Sequence, residues 1–78
     1  MSKMKIEECV RECLACYFND LKGEEPSGMH DMLLRTMERP LLEVVMEYAD
    51  NNQSKASQWL GLNRNTLRKK LVEYQLAS

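Results

Sequence analysis

The chain has 78 residues, of which 44% are apolar and 29% are charged, and its formal net charge is −1. This length excludes a barrel, a doubly wound sheet or a two-domain cleft, and the composition is typical of a single folded domain. A lone chain of this size buries only roughly 60% of its unfolded surface, so pairing with a second chain is a common route to stability.

The net charge conceals an uneven distribution along the chain. Residues 1–52 contain six Lys/Arg and eleven Asp/Glu, a net charge of −5, whereas residues 53–78 contain five and one, a net charge of +4. A basic C-terminal third on an acidic body indicates a polyanionic partner. No segment has the ~20 apolar residues that span a bilayer, and no signal peptide is evident, so we expect no membrane association and a cytoplasmic location.

The first predicted element is an amphipathic helix over about 6–21, with apolar residues at i, i+3, i+4 and i+7. Cys9, Cys13 and Cys16 share its apolar face, and we interpret them as packing residues because cysteine is often buried as a small hydrophobe. Their C-x3-C-x2-C spacing also occurs in radical-SAM iron–sulfur enzymes, but this chain is too short for the barrel of such enzymes. We therefore expect no metal and no cofactor, and a redox role is the lesser alternative.

The second predicted helix spans about 28–50, roughly 30 Å at 1.5 Å per residue. Pro40 lies inside it and predicts a kink near Glu38–Arg39, because proline removes one hydrogen bond and clashes with the preceding turn. Apolar residues occupy more than one face of this helix. We expect a second chain to bury the excess, so the sequence predicts a dimer.

Residues 52–74 form a helix-turn-helix candidate, the second half of a single domain that covers 1–78. Asn52 is predicted to cap a short helix over 53–60, Gly61 to end it, and Asn63 to cap a last helix from Arg64 to about Tyr74. The apolar residues expected to form a shared core are Ala56, Leu60, Leu62, Leu67 and Leu71. We expect Trp59 to cover the junction with the dimer core in part.

The first residues of the second helix in such a unit meet base edges in the major groove of DNA. Asn63 and Arg64 are the candidates here, because asparagine pairs with adenine and arginine with guanine through two hydrogen bonds each. The candidates for contacts with the DNA backbone are Asn52, Ser54, Lys55, Asn65, Thr66, Arg68, Lys69 and Lys70. The plainer interpretation is a solvated basic face on a terminal helix.

The segments ERPLLEVVMEYADNN and NNQSKASQWLGLNRNTLRKKL resemble the Fis family of bacterial nucleoid-associated DNA-binding proteins. The helix-turn-helix alone also resembles the C-terminal domain of nitrogen-regulation-type activators, but RPLLEVVMEYA and YFNDLKG favour Fis. The resemblance implies an all-α, four-helix protomer in an intertwined homodimer. Its helices over 6–50 would dimerise, and its 52–74 unit would bind double-stranded DNA.

The resemblance further implies closely spaced recognition helices that bend DNA at degenerate, A/T-centred sites. Nucleoid organisation and transcriptional control are functions of the family. Asn63 and Arg64 match its base-contacting pair. Its phosphate contacts from the recognition helix are matched by Thr66, Arg68, Lys69 and Lys70. Its other backbone contacts are matched by Asn52, Ser54 and Lys55, although the family often has threonine and arginine at the last two. Val72 and Glu73 depart from it, because two lysines are common there, and Asn65 replaces a glycine. Only five residues precede Ile6, so we do not expect the recombinase contact that a longer N-terminal arm makes in the family.

Two alternatives differ in class from this interpretation. The acidic first helices could serve a dimerisation or adaptor module that binds a protein partner, and the last two helices could form a stand-alone DNA-binding domain of the activator type. An enzyme is not expected, because the sequence shows no acid/base pair, nucleophile constellation or phosphate-binding loop.

Overall fold

The computed structural model describes residues 3–77, which form four helices and no strand. The helices are α1 (Lys3–Asp20), α2 (Met29–Tyr48), α3 (Gln53–Leu60) and α4 (Arg64–Glu73). The predicted all-α, four-helix class is therefore confirmed. None of these helices is long and apolar enough to cross a bilayer. Helix α2 continues through Pro40, and the kink near that residue stays a prediction.

The turn between α2 and α3 uses two consecutive residues in the left-handed conformation. Asp50 has φ 53° and Asn51 has φ 60°, a region that aspartate and asparagine tolerate better than most residues. The amide of Asn51 donates to the carbonyl of Met46 at 2.9 Å, and the amide of Asn52 donates to that of Ala49 at 3.0 Å. This turn sends α3 back across the end of α2.

The core lies where α3 and α4 pack on the C-terminal half of α2. Its fully buried members are Leu42, Ala49, Ala56, Leu67 and Leu71. Ala49 and Ala56 are 0% exposed, and their small side chains let the backbones of α2 and α3 come close. Leu60 packs against this cluster, and Leu62 is half-buried. The predicted shared core is therefore confirmed for Ala56, Leu60, Leu67 and Leu71, whereas Leu62 lies outside this cluster.

Helix α1 contributes no buried residue to the protomer. Its most covered side chains form one stripe and are only half-buried: Val10, Leu14 and Tyr17. Cys9, Cys13 and Cys16 are exposed and form no disulfide. The interpretation of these cysteines as packing residues is thus wrong within a single protomer, because nothing in the described chain covers their face of α1. No group of three or more potential metal-ligating side chains comes together in residues 3–77.

Helix α2 carries a second apolar face that the rest of the protomer leaves exposed. We call it the α2 stripe, and it consists of Leu34, Met37, Leu41, Val44 and Tyr48. The members alternate in steps of three and four residues, which places them along one side of a helix as in a coiled-coil seam. Exposure ranges from 40% at Met37 to 74% at Tyr48. The protomer therefore has the uncovered apolar surface that the sequence predicts.

The core predicts a large effect of shortening Leu67, which is 0% exposed. Leu67→Ala should lower the free energy of unfolding by about 2–5 kcal/mol, because it removes apolar contacts and leaves a cavity. Val72→Ala is the control, since Val72 is on the same helix but 47% exposed, and it should change stability by at most about 0.5 kcal/mol. Urea unfolding at matched protein concentration measures both, and equal effects would contradict this core.

Candidate nucleic-acid interface

Side-chain caps build the start of both short helices. The Oδ1 atom of Asn52 accepts a hydrogen bond from the amide of Lys55 at 3.0 Å, and that of Asn63 accepts from the amide of Asn65 at 2.8 Å. Such bonds satisfy amides that have no partner within the helix. Between them Gly61 ends α3 at φ 70°, where a side chain would be strained. All three local predictions are confirmed.

The outer face of α4 concentrates cationic side chains that have no intramolecular partner. Arg64, Arg68 and Lys69 are exposed, and none forms an ion pair or a side-chain hydrogen bond with the described residues. A shallow depression on this face is lined by Asn65, Arg68, Lys69 and Val72. Thr66 is also exposed. Most of the α4 side chains that were predicted to contact DNA therefore lie on the exposed surface.

The cap at Asn63 uses one of the acceptor sites of its side chain. A two-bond contact with adenine needs the amide oxygen as acceptor and the amide nitrogen as donor. The oxygen of Asn63 accepts from the amide of Asn65, and it has a second lone pair, while both donors of the NH₂ group are free. The cap is therefore compatible with the predicted contact to adenine, which stays a prediction.

Lys70 does not lie on the outer face with the other cationic residues, contrary to the sequence prediction. Its Nζ atom is 3.0 Å from Oε2 of Glu38 on α2, and the side chain is only 30% exposed. Glu73 also faces α2, where its Oε1 atom is 3.1 Å from Nη1 of Arg35. Of the three positions that depart from the family pattern, Asn65 and Val72 lie on the outer face, and Glu73 does not.

A polar junction joins α2 to the second half of α4. We define the α2–α4 junction as Arg35, Glu38, Arg39, Lys70, Glu73 and Tyr74. The hydroxyl of Tyr74 donates to Oε1 of Glu38 at 2.8 Å, and Nη1 of Arg39 donates to the carbonyl of Tyr74, also at 2.8 Å. The Tyr74 hydrogen bond, followed by the contact with Lys70, lowers the pKa of Glu38 despite partial burial. The same hydrogen bond raises the pKa of Tyr74.

The start of α3 presents a further exposed polar group. Asn52, Ser54 and Lys55 are all exposed there, and Nζ of Lys55 lies 5.8 Å from the centre of the Trp59 ring, within cation–π range. Trp59 is 56% exposed in one protomer, and its indole lies beside the lysine on the surface of α3. That it covers part of the junction with a dimer core stays a prediction.

Sequence reasoning missed two kinds of residue. The hydroxyl of the buried Ser57 donates to the carbonyl of Ser54 at 2.8 Å. This hydrogen bond offsets the cost of removing the hydroxyl from water next to Ala56. The junction residues Arg35 and Glu38 are separated by more than thirty positions from their partners. No local pattern marks such pairs, because nothing in the spacing of α2 shows which of its charges will face α4.

Two capped helices, a left-handed glycine between them and unpaired cations along the second helix define a helix-turn-helix protein. A model of the bacterial regulatory proteins of the Fis family matches residues 33–74, which is more than half of the chain. The chain belongs to the Fis family. The matched region includes most of α2 and both helices of the helix-turn-helix.

Similar proteins occur in several bacteria. A Fis-like DNA-binding protein of Ralstonia nicotianae is 58% identical over 76 residues, covering 97% of this chain and 99% of the relative. A protein of the same description from Neisseria meningitidis serogroup A is also 58% identical, over 91% of this chain and 90% of its own length. The DNA-binding protein Fis of Proteus mirabilis is 38% identical over 95% of this chain and 76% of its own length. Since these relatives are described as DNA-binding proteins, membership of the family supports the expectation that this chain is not an enzyme.

The lowered pKa of Glu38 predicts that part of the free energy of unfolding is lost at acidic pH. Since its pKa is below the ordinary 4.5 in the folded chain, Glu38 stabilises the fold above that pH, and this contribution is lost as the pH falls through the folded value. Glu38→Gln should remove this component, because the amide does not titrate there. Glu43→Gln is the control, since Glu43 pairs only with Arg39 of its own helix. Unfolding free energies from neutral to strongly acidic pH test this, and parallel curves for wild type and Glu38→Gln would contradict it.

The outer face of α4 predicts two distinguishable losses of DNA binding. Arg64→Ala should cost roughly 1–3 kcal/mol per half-site on specific duplexes and much less on random DNA, because it removes base contacts. Lys69→Ala should weaken binding to every sequence alike and reduce the salt slope by about one. Fluorescence anisotropy on both kinds of duplex measures these changes. Equal losses on specific and random DNA for both variants would refute the assignment.

Proposed function

We propose that this protein is a homodimeric DNA-binding protein of the bacterial nucleoid, which bends DNA at degenerate, A/T-centred sites and regulates transcription. The observation that carries the proposal is the outer face of α4, where Arg64, Arg68 and Lys69 are exposed and have no partner among residues 3–77. Unpaired cations along a helix that follows a helix-turn-helix turn fit the phosphates and base edges of a major groove. The DNA-binding relatives support the same ligand.

Charge separation within the protomer supports DNA as the partner of this face. Two acidic side chains form ion pairs at the contact between α2 and α4: Glu38 of α2 with Lys70, and Glu73 of α4 with Arg35. They therefore neutralise Lys70 and Arg35 rather than Arg64 and Lys69. The acidic excess of residues 1–52 does not cancel the local positive potential of the outer face, although the formal net charge of the chain is −1. Double-stranded DNA is the polyanion that such a face suits best.

The α2 stripe supports homodimerisation. Five large apolar side chains in coiled-coil spacing are exposed in one protomer, and burying them against a second copy would remove them from water. Helix α1 buries no side chain in the protomer, so it too has surface available for a partner. A dimer formed through α1 and α2 leaves α3 and α4 free for DNA. This division agrees with the boundaries predicted from the sequence, 6–50 for dimerisation and 52–74 for binding.

The proposal of DNA bending and an A/T preference is supported by membership of the Fis family. Two recognition helices spaced more closely than one turn of straight DNA require the duplex to bend and its central minor groove to narrow. Sequences that deform easily are then preferred at positions that the protein does not touch. Binding of this kind discriminates weakly between sites, which suits a protein that organises a nucleoid.

The primary test is a titration of duplex binding with salt. A dimer that neutralises several phosphates should lose affinity linearly with log[salt], and replacing the central A/T pairs by G/C with unchanged flanks should weaken binding and reduce bending measured by energy transfer. The adaptor alternative predicts no duplex binding even at low salt. That result would refute the proposal, because an adaptor has no use for the unpaired cations of α4.

The α2 stripe predicts a monomeric variant. Leu41→Glu places a charge in the middle of the stripe, where the side chain is 51% exposed in the protomer, so the single chain should tolerate it while the dimer does not. Thr36→Glu is the matched control, because Thr36 is exposed on α2 but outside the stripe. Sedimentation equilibrium should show a monomer for the first variant and a dimer for the second. A dimeric Leu41→Glu variant would exclude this interface.

A further inference from the structure

Glu38 holds two side chains of the recognition helix at once. Its carboxylate accepts from Nζ of Lys70 and from the hydroxyl of Tyr74, at 3.0 and 2.8 Å from its two oxygens. These donors are four residues apart, so they project from the same side of the last turns of α4. Glu38 is 31% exposed and Lys70 30%, so water and salt screen the attraction within this pair less than within the more exposed Arg35–Glu73 pair.

The apolar core alone leaves the direction of α4 weakly defined. Packing of Leu42 against Leu67 and Leu71 is favourable over a range of small rotations, because burial of apolar surface has no preferred direction. Hydrogen bonds with a charged partner depend on distance and angle. Two such bonds to one carboxylate therefore restrict how α4 can turn on α2, and the bond from Arg39 to the carbonyl of Tyr74 restricts the end of the helix.

We propose that Glu38 is a positioning residue that sets the angle between the dimerisation helix α2 and the recognition helix α4, and with it the half-site spacing that the dimer accepts. This inference rests on the proposed function, because the spacing of two recognition helices has meaning only in a DNA-binding dimer. Glu38 itself lies on the α2 side of Lys70 and does not need to touch DNA. Lys70 acts through the same contact and is not a phosphate ligand.

The test measures affinity for duplexes whose two half-sites are moved apart or together one base pair at a time. Wild type should show a preferred spacing, and Glu38→Ala should lower the preference for it severalfold while binding to a single half-site is unchanged. Glu38→Gln should retain part of the preference, since its amide oxygen still accepts from Tyr74. Glu47→Ala is the matched control, because Glu47 is an exposed carboxylate of the same helix that pairs with none of the described residues, and its profile should equal that of wild type.

Two further variants keep the proposal falsifiable if Glu38→Ala folds poorly. Tyr74→Phe removes only the hydroxyl donor and should flatten the spacing profile in the same direction. Lys70→Ala should also flatten it but leave the salt slope unchanged, in contrast to Lys69→Ala. A change in the salt slope for Lys70→Ala would show that Lys70 binds phosphate and would overturn this assignment.

The outcomes separate this inference from the proposed function. If wild type binds duplexes with a preferred spacing but the Glu38 and Tyr74 variants keep that preference, the positioning role is refuted and DNA binding stands. Equal losses at every spacing together with a lower unfolding free energy would also refute it, because they indicate a purely stabilising contact. If wild type binds no duplex at low salt, both proposals fail.

Discussion

The close approach of α3 to the end of α2 is the constraint on which the rest of the structure depends. Ala49 and Ala56 both lie in the buried cluster there with no exposed surface, and a larger side chain at either position would hold the two helices apart. The left-handed pair Asp50 and Asn51 makes the short reversal that this approach requires. Because Leu67 belongs to the same cluster, the recognition helix α4 is held against this part of the protomer, while polar contacts define its direction.

The packing of α4 on α2 also determines which charged side chains of α4 are paired and which are exposed. The side of α4 that faces α2 pairs its charged groups with residues of opposite sign, Lys70 with Glu38 and Glu73 with Arg35. The side that faces away carries only cations among its charged residues. A chain with almost no net charge thus presents a positive surface, because tertiary contacts place the acids of the last helix and its neighbour on the inner side. The α2 stripe is the other surface of the protomer that lacks a partner, and its apolar side chains are suited to packing against a second copy of the chain.

Local structure could be predicted well because its causes are local. The caps Asn52 and Asn63 and the terminator Gly61 act within a few residues of their own positions, so sequence spacing alone identifies them. The predictions that failed concern side chains whose surroundings are contributed by other elements. Lys70 was expected to contact the DNA backbone but pairs with Glu38, and the cysteines of α1 were expected to pack but are exposed in the protomer. Their surroundings depend on which elements pack against α4 and α1, which helical periodicity does not specify.

The sequence by itself determined four helices, the helix-turn-helix, its caps, the membership of a DNA-binding family and the concentration of positive charge in the last third. Each of these rests on residue type and spacing along one chain. Only the tertiary structure decided which charges of α4 are free and which are paired, and that the thiols of α1 lack cover within one protomer. It also revealed Glu38 as the common acceptor of Lys70 and Tyr74. The physical reason is that these properties depend on the angle between packed helices, and many residues distant in sequence set that angle together.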